Sequence, residues 1–203
     1  WSSDVCSSDL SGAVSFGSTL DRDGTARSLT IGAGSGNVGF AGAIGASGAL
    51  GAVDINSTGQ TRFGAAVSAA SLTTNAGGTV ALDGGSITTT GAVSLGEAVV
   101  LGADTTITTT NGAVSFGSTV NSDGTARALT INAGSGNVGF IGAVGVTSSL
   151  GAIAVNSTGQ TRFGAAVTAA SLATNAGGTV ALDGGSITTT GAVSFGEAVV
   201  LGA

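Results

Sequence analysis

The sequence predicts an all-β chain wound as a parallel β-helix, a solenoid of about 20 residues per coil with five coils in each 100-residue repeat. Three observations carry that prediction. The chain repeats itself at a spacing of one hundred residues. A weaker pattern recurs inside each copy at roughly a fifth of that spacing. Both patterns are written in β-branched residues punctuated by Gly, Asn and Ser, which favour strands and tight corners over helix.

The long period is plain from whole phrases. "GAVSFGST" stands at Gly12 and Gly112, "STGQTRFGAAV" at Ser57 and Ser157, and "GGTVALDGGSITTTGAVS" at Gly77 and Gly177. Aligned positions agree in about four of five cases, so copy one spans residues 11–110 and copy two residues 111–203, where the pattern breaks off.

The short period appears in order along copy one as "SLTIGAG" at Ser28, "AVDINSTG" at Ala52, "SLTTNAG" at Ser71, "SITTTG" at Ser86 and "TITTTNG" at Thr106. Their leading apolar residues are Leu29, Val53, Leu72, Ile87 and Ile107, and the series restarts at Leu129. These are expected to face inward and stack from coil to coil. The exchange of "VDI" at Val53 for "IAV" at Ile153 keeps the outer two positions aliphatic while Asp54 becomes Ala154, the period of two expected of a strand. Asp21 against Asn121 and Arg22 against Ser122 vary freely and are expected to be solvated. Each unit carries further strand-like stretches, among them "NVGF" at Asn37, "QTRF" at Gln60, "GAAV" at Gly64, "TVAL" at Thr79 and "EAVVL" at Glu97. The competing architecture is a pair of tandem immunoglobulin-like sandwiches. It fits the long period, but such domains bury a large aromatic core, often with a Trp or a tyrosine corner, and this sequence has no Tyr and no Trp after Trp1.

The opening "WSSDVCSSDL" stands outside both patterns and holds the only Trp (Trp1) and the only Cys (Cys6). One back-translation, TGG AGT TCA GAC GTG TGC TCT TCC GAT CT, reads as the end of a common short-read sequencing adapter. Residues 1–10 are therefore read as a sequencing artefact, not native, and set aside as a tag would be. The rest is expected to be a metagenomic fragment of a longer protein.

Composition excludes several classes. Gly numbers 38 without a triplet phase and Pro is absent, so the chain is not collagen. A hydrophobic share of 42% with 8% charged residues argues for folding over disorder. The net charge is −6, and the arginines Arg22, Arg27, Arg62, Arg127 and Arg162 are dispersed, so no nucleic-acid partner is expected. Gly, Ser and Asn interrupt every long uncharged run, against a membrane helix, and the aromatic girdles of a membrane barrel are missing.

No catalytic, cofactor-binding or metal-binding residues are assigned. Asp23, Asp54, Asp83, Glu97 and Asp104 are far apart in sequence, with no His, Lys or Tyr to work beside them. The isolated Asp in each "LDGGS" reads as a turn, so no enzyme and no cofactor is expected. With the leading apolar residues inward, their neighbours Thr30, Asp54 with Asn56, Thr73 with Asn75, Thr88 with Thr90, and Thr108 with Thr110 would form one outward Thr and Asn column. Such a face suggests an ice- or carbohydrate-binding alternative. "NST" at Asn56 and Asn156 is a formal glycosylation sequon.

The stretch "SLTTNAGGTVALDGGSITTTGAVSLGEAVVLGADTTITTT" from Ser71 to Thr110 resembles the repeat region of large bacterial exoproteins of the filamentous haemagglutinin type, exported by two-partner secretion. The likeness extends over residues 11–203 in repeat style, and it transfers no functional residue. It implies a right-handed parallel β-helix shaft, threaded unfolded through an outer-membrane pore protein and displayed at the bacterial cell surface or secreted. Its ligand on a host cell or other surface would be bound elsewhere in the full protein. A Cys-free chain that stacks coil by coil suits such threading, and its uncapped ends are expected to self-associate end to end.

Overall fold

A computed structural model describes residues 11–75, 77–175 and 177–202. Trp1–Leu10, with Cys6, lie outside the described residues.

The described chain is an all-β solenoid of about nine turns, with bridged residues about 21 apart. Its strands number 22 and pair in parallel throughout, for example Val53 with Leu72, Val99 with Val120 and Phe140 with Phe163. Sandwich strands pair antiparallel, so the tandem-sandwich alternative is overturned. Each coil has three faces, and an inward column runs up each. One passes through Val14, Val38, Thr61, Val80, Val99, Val120, Val144, Val167 and Ile187. The next passes through Leu20, Ile44, Val67, Ile87, Ile107, Ile131, Val155, Thr174 and Phe195. The last passes through Leu29, Val53, Leu72, Val93, Val114, Val138, Thr161, Val180 and Val199.

Branched aliphatics fill these columns because alternate side chains of a strand point to one side, and a narrow three-faced tube gives each inward residue neighbours above, below and across. Removing one such side chain from water is worth about 1.5–3 kcal/mol. The rings of Phe16, Phe40 and Phe63 stack at centroid distances of 5.0 and 5.5 Å, and those of Phe116, Phe140 and Phe163 at 4.9 and 5.1 Å.

The columns also show how the long repeat relates to the coil. Val14 starts the first column, yet Val114 belongs to the last, at its fifth level. One hundred residues therefore complete four turns and two of the three faces, about four and two-thirds coils. Copy two sits a third of a turn out of phase with copy one. The shift is tolerated because all three faces accept the same kind of inward residue. Phe63 and Phe163 thus stack on different faces, each within its own triplet.

The inward residues Leu29, Val53, Leu72, Ile87, Ile107 and Leu129 are all buried. They do not make one stack. Leu72 pairs onward with Val93, whereas Ile87 pairs with Val67, and Leu129 pairs with Thr105. The cause is the short step from Leu72 to Ile87. The long strand Val67–Thr74 carries Ser86–Thr89 on its first half and Val93–Leu95 on its second, so these two segments share one coil.

Corners are stitched vertically by Asx side chains. Asn37 Oδ1 accepts from Gln60 N at 2.8 Å, Asn75 Oδ1 from Ser57 N at 2.9 Å, and Asp104 Oδ1 from Ala128 N at 2.9 Å. Asp21 and Asn121 play this same part, accepting from Ser47 N at 2.8 Å and Thr147 N at 3.1 Å, which is why that exchange is tolerated. Ser122 corrects the expectation of a solvated site: it is buried and its Oγ accepts from Arg127 N at 3.0 Å. Gly45 and Gly145 both turn at φ 70°, the left-handed region, with backbone of the next coil too near for a Cβ.

Candidate functional site

The fold gathers charges that the sequence separates. Arg62 Nε lies 2.6 Å from Asp83 Oδ2, and Arg162 pairs with Asp183 at 2.5 Å, each pair joining successive coils. Arg127 Nη2 reaches Asp123 Oδ2 at 2.8 Å within one loop, and Arg27 reaches Asp23 at 3.4 Å. The Arg127 guanidinium, helped by the Thr125 N–H, holds the Asp123 carboxyl below its ordinary range, and Arg27 with Thr25 does the same for Asp23. Arg127 is pushed up in turn, first by Asp123 and also by the fields of Asp104 and Asp83. Asp83, Asp104 and Asp123 therefore gather around Arg127 where copy one passes into copy two. Asp83 is paired with Arg62, Asp123 with Arg127, and Asp104 accepts from the Ala128 N–H. Asp54 lies apart on the exposed side of strand Leu50–Ser57. No group of three or more His, Cys, Asp or Glu close enough to hold a metal occurs among the described residues.

The outward Thr and Asn residues do not form a single column. Thr30, Asp54 and Thr73 are register partners, but their row continues into Ser94 and Ser115. Thr88 and Thr108 lie on another face, in a row that runs to Asn132 and Asn156. From Thr108 onward that row is hydrogen-bonded residue to residue, Asn132 Nδ2 to Thr108 Oγ1 at 3.4 Å and Asn156 Nδ2 to Asn132 Oδ1 at 2.8 Å. Both sequon residues, Asn56 and Asn156, are exposed.

Glu97 is the one charged side chain buried among the described residues, at 2% exposure. It follows Val93 and Leu95 and precedes Val99 and Leu101 in the same inward phase, between two short strands. Neither carboxyl oxygen completes a hydrogen bond, nor does the hydroxyl of the inward Thr74 one coil below. Burial pushes the carboxyl above its ordinary value; the Thr74 hydroxyl beside it and the backbone N–H of Glu97 pull less strongly the other way. In copy two the matching contact is formed, with Thr174 Oγ1 donating to Glu197 Oε2 at 2.9 Å. The sequence reading counted Glu97 only as a dispersed carboxylate. The signal that could have placed it inside was its odd-numbered phase in "VSLGEAVVL".

Compared with protein families, with curated proteins and with solved structures, the chain matches none.

Proposed function

We propose that this chain is a structural stalk segment of a large secreted bacterial surface adhesin. It would reach the surface through an outer-membrane pore protein and carry a binding part located elsewhere in the full protein. The observation that carries the reading is the repeat phase. Four and two-thirds coils per copy turn every feature of the repeat by a third of a turn from one copy to the next. Three copies at that pitch would complete fourteen coils before a face recurs. Such an array presents no continuous uniform face, which disfavours a flat ligand surface such as one for ice. It extends length without interruption of the core, which is what a shaft requires.

The test is to express tandem arrays of two, four and six copies and measure particle length by electron microscopy. Each added copy should lengthen the rod by about 22 Å, four and two-thirds coils at roughly 4.8 Å each. Thermal hysteresis, or specific glycan capture by the purified rod, would sink the stalk reading. The flanking DNA tests the setting separately: a neighbouring pore-protein gene supports export, and a complete locus without one counts against it.

A further inference from the structure

Asn111–Gly112 is the one Asn–Gly dipeptide in the chain. It lies at the corner between strands Thr105–Thr109 and Val114–Phe116, midway along the rod, with coils stacked above and below. Asn111 is exposed. One residue of the coil above grips its amide carbonyl twice: Ser135 N and Ser135 Oγ both lie 3.0 Å from Asn111 Oδ1. Thr109 Oγ1 donates to Gly112 O at 2.6 Å and pins the corner. Among the described residues neither Asn111 Nδ2 nor the Gly112 N–H has a hydrogen-bond partner.

That combination is missing elsewhere. After Asn121 the Ser122 N–H is held by Ser148 O at 3.2 Å, and after Asn156 the Ser157 N–H is held by Asn175 Oδ1 at 2.7 Å. At Asp83–Gly84, Gly84 N donates to Phe63 O at 3.1 Å, and the side chain is a carboxylate paired with Arg62, a poor electrophile.

We infer that Asn111 is a site of spontaneous deamidation through a cyclic imide, promoted by the corner that holds it. Gly112 N gives up its proton to water and bonds to Asn111 Cγ, with no side chain on Gly112 to hinder the approach. The negative charge that develops on Oδ1 falls on the two Ser135 donors, which act as an oxyanion hole does. The Cγ–Nδ2 bond then breaks, and Nδ2 takes a proton from water and leaves as ammonia. Water opens the imide at one carbonyl or the other, leaving an aspartate or an isoaspartate. The net change is one water consumed and one ammonia released.

The two products fit the corner differently. An aspartate keeps the acceptor oxygen that Ser135 needs, as Asp21 and Asn121 fill one role in their two copies, and it adds a negative charge. An isoaspartate inserts a methylene into the backbone where the coils are closest. Even a Cβ on Gly112 would stand 2.2 Å from the carbonyl of Gly91 in the coil below. That product should loosen the stacking where copy one meets copy two.

The test incubates the purified chain in mildly alkaline heavy-oxygen water and maps it by mass spectrometry, beside a synthetic peptide of residues 106–116. Asn111 should gain heavy oxygen before any other asparagine, and sooner in the folded chain than in the peptide. Ser135→Ala removes the hydroxyl donor and leaves the N–H. It should slow conversion about tenfold with an unchanged circular dichroism spectrum, short of the about 10²–10³ that one donor supplies in an enzyme. Slower conversion in the chain than in the peptide, or a Ser135→Ala rate equal to that of the unaltered chain, overturns the proposal. The peptide comparison decides even if that variant fails to fold. Asn111→Asp should melt with the unaltered chain and isoaspartate-bearing chains below both; isoaspartate chains that melt with the others overturn the consequence drawn for the junction.

Discussion

The tetrapeptide AVVL occurs at Ala98–Leu101 and at Ala198–Leu201 and forms a parallel strand in both places. In copy one it is hydrogen-bonded below to Thr79–Leu82 and above to Val120–Ser122; in copy two its partner among the described residues is Thr179–Leu182, below. The inward residue Leu101 is 0% exposed and its twin Leu201 is 76% exposed. One neighbouring coil is thus enough to set strand and register, and burial requires two. Cohesion in this fold resides in the interfaces between coils, as expected of a quasi-one-dimensional array.

The sharpest way to break that comparison is to make one substitution twice. Leu101→Ala should cost about 2–5 kcal/mol, the usual range for emptying a core leucine site. Leu201→Ala should cost about 0.5 kcal/mol or less, as at an ordinary surface position. Urea unfolding midpoints measure both, and equal shifts would mean that the terminal coil is as cohesive as the middle.

A smaller effect is expected from backbone crowding. A Cβ on Gly117 would stand 2.9 Å from the carbonyl oxygen of Gly96 in the coil below, whereas one on Gly17 would meet nothing within 4 Å. Gly117→Ala should destabilise by about 1–3 kcal/mol, in the manner of overpacking. Gly17→Ala should stay within about 0.5 kcal/mol of the unaltered chain. The contrast in unfolding midpoints checks whether coil spacing is as tight in the interior as the strand registers imply.

The fold class was legible because a strand announces itself by parity and a solenoid by recurrence. Both show in Leu29, Val53 and Leu72, which do stack. The coil count was less legible. A step such as Leu72 to Ile87 looks like a short coil in sequence, and only the pairing of Val67–Thr74 with two successive strands shows that it is part of one. That detail also decides the surface, because it sends Thr73 and Thr88 to different rows and divides the anticipated Thr column. The ion pairs Arg62–Asp83 and Arg162–Asp183 join residues 21 apart, so they are invisible until the coil length is known. Asp21 and Asn121 looked interchangeable, and they are, because each supplies the one acceptor oxygen the corner needs.

Glu97 offers the finest comparison, because the exchange to Gln keeps its shape and removes only its charge. Its carboxyl is raised above the ordinary value by burial, so the folded state holds the proton over a range in which the unfolded chain, with a carboxyl near about 4.3, has already released it. The stability that follows is fully present below the unfolded value and is lost as pH rises through the folded one. Glu97→Gln does not ionise. Its unfolding midpoint should match the unaltered chain in acid and exceed it increasingly as pH rises, levelling above the folded value. Asp23 and Asp123, lowered by their arginines, lose their contribution in the opposite direction as pH falls, but they are the same in both proteins and cancel in the difference. A midpoint difference at Glu97 that is constant with pH would show that the buried carboxyl is not the titrating group.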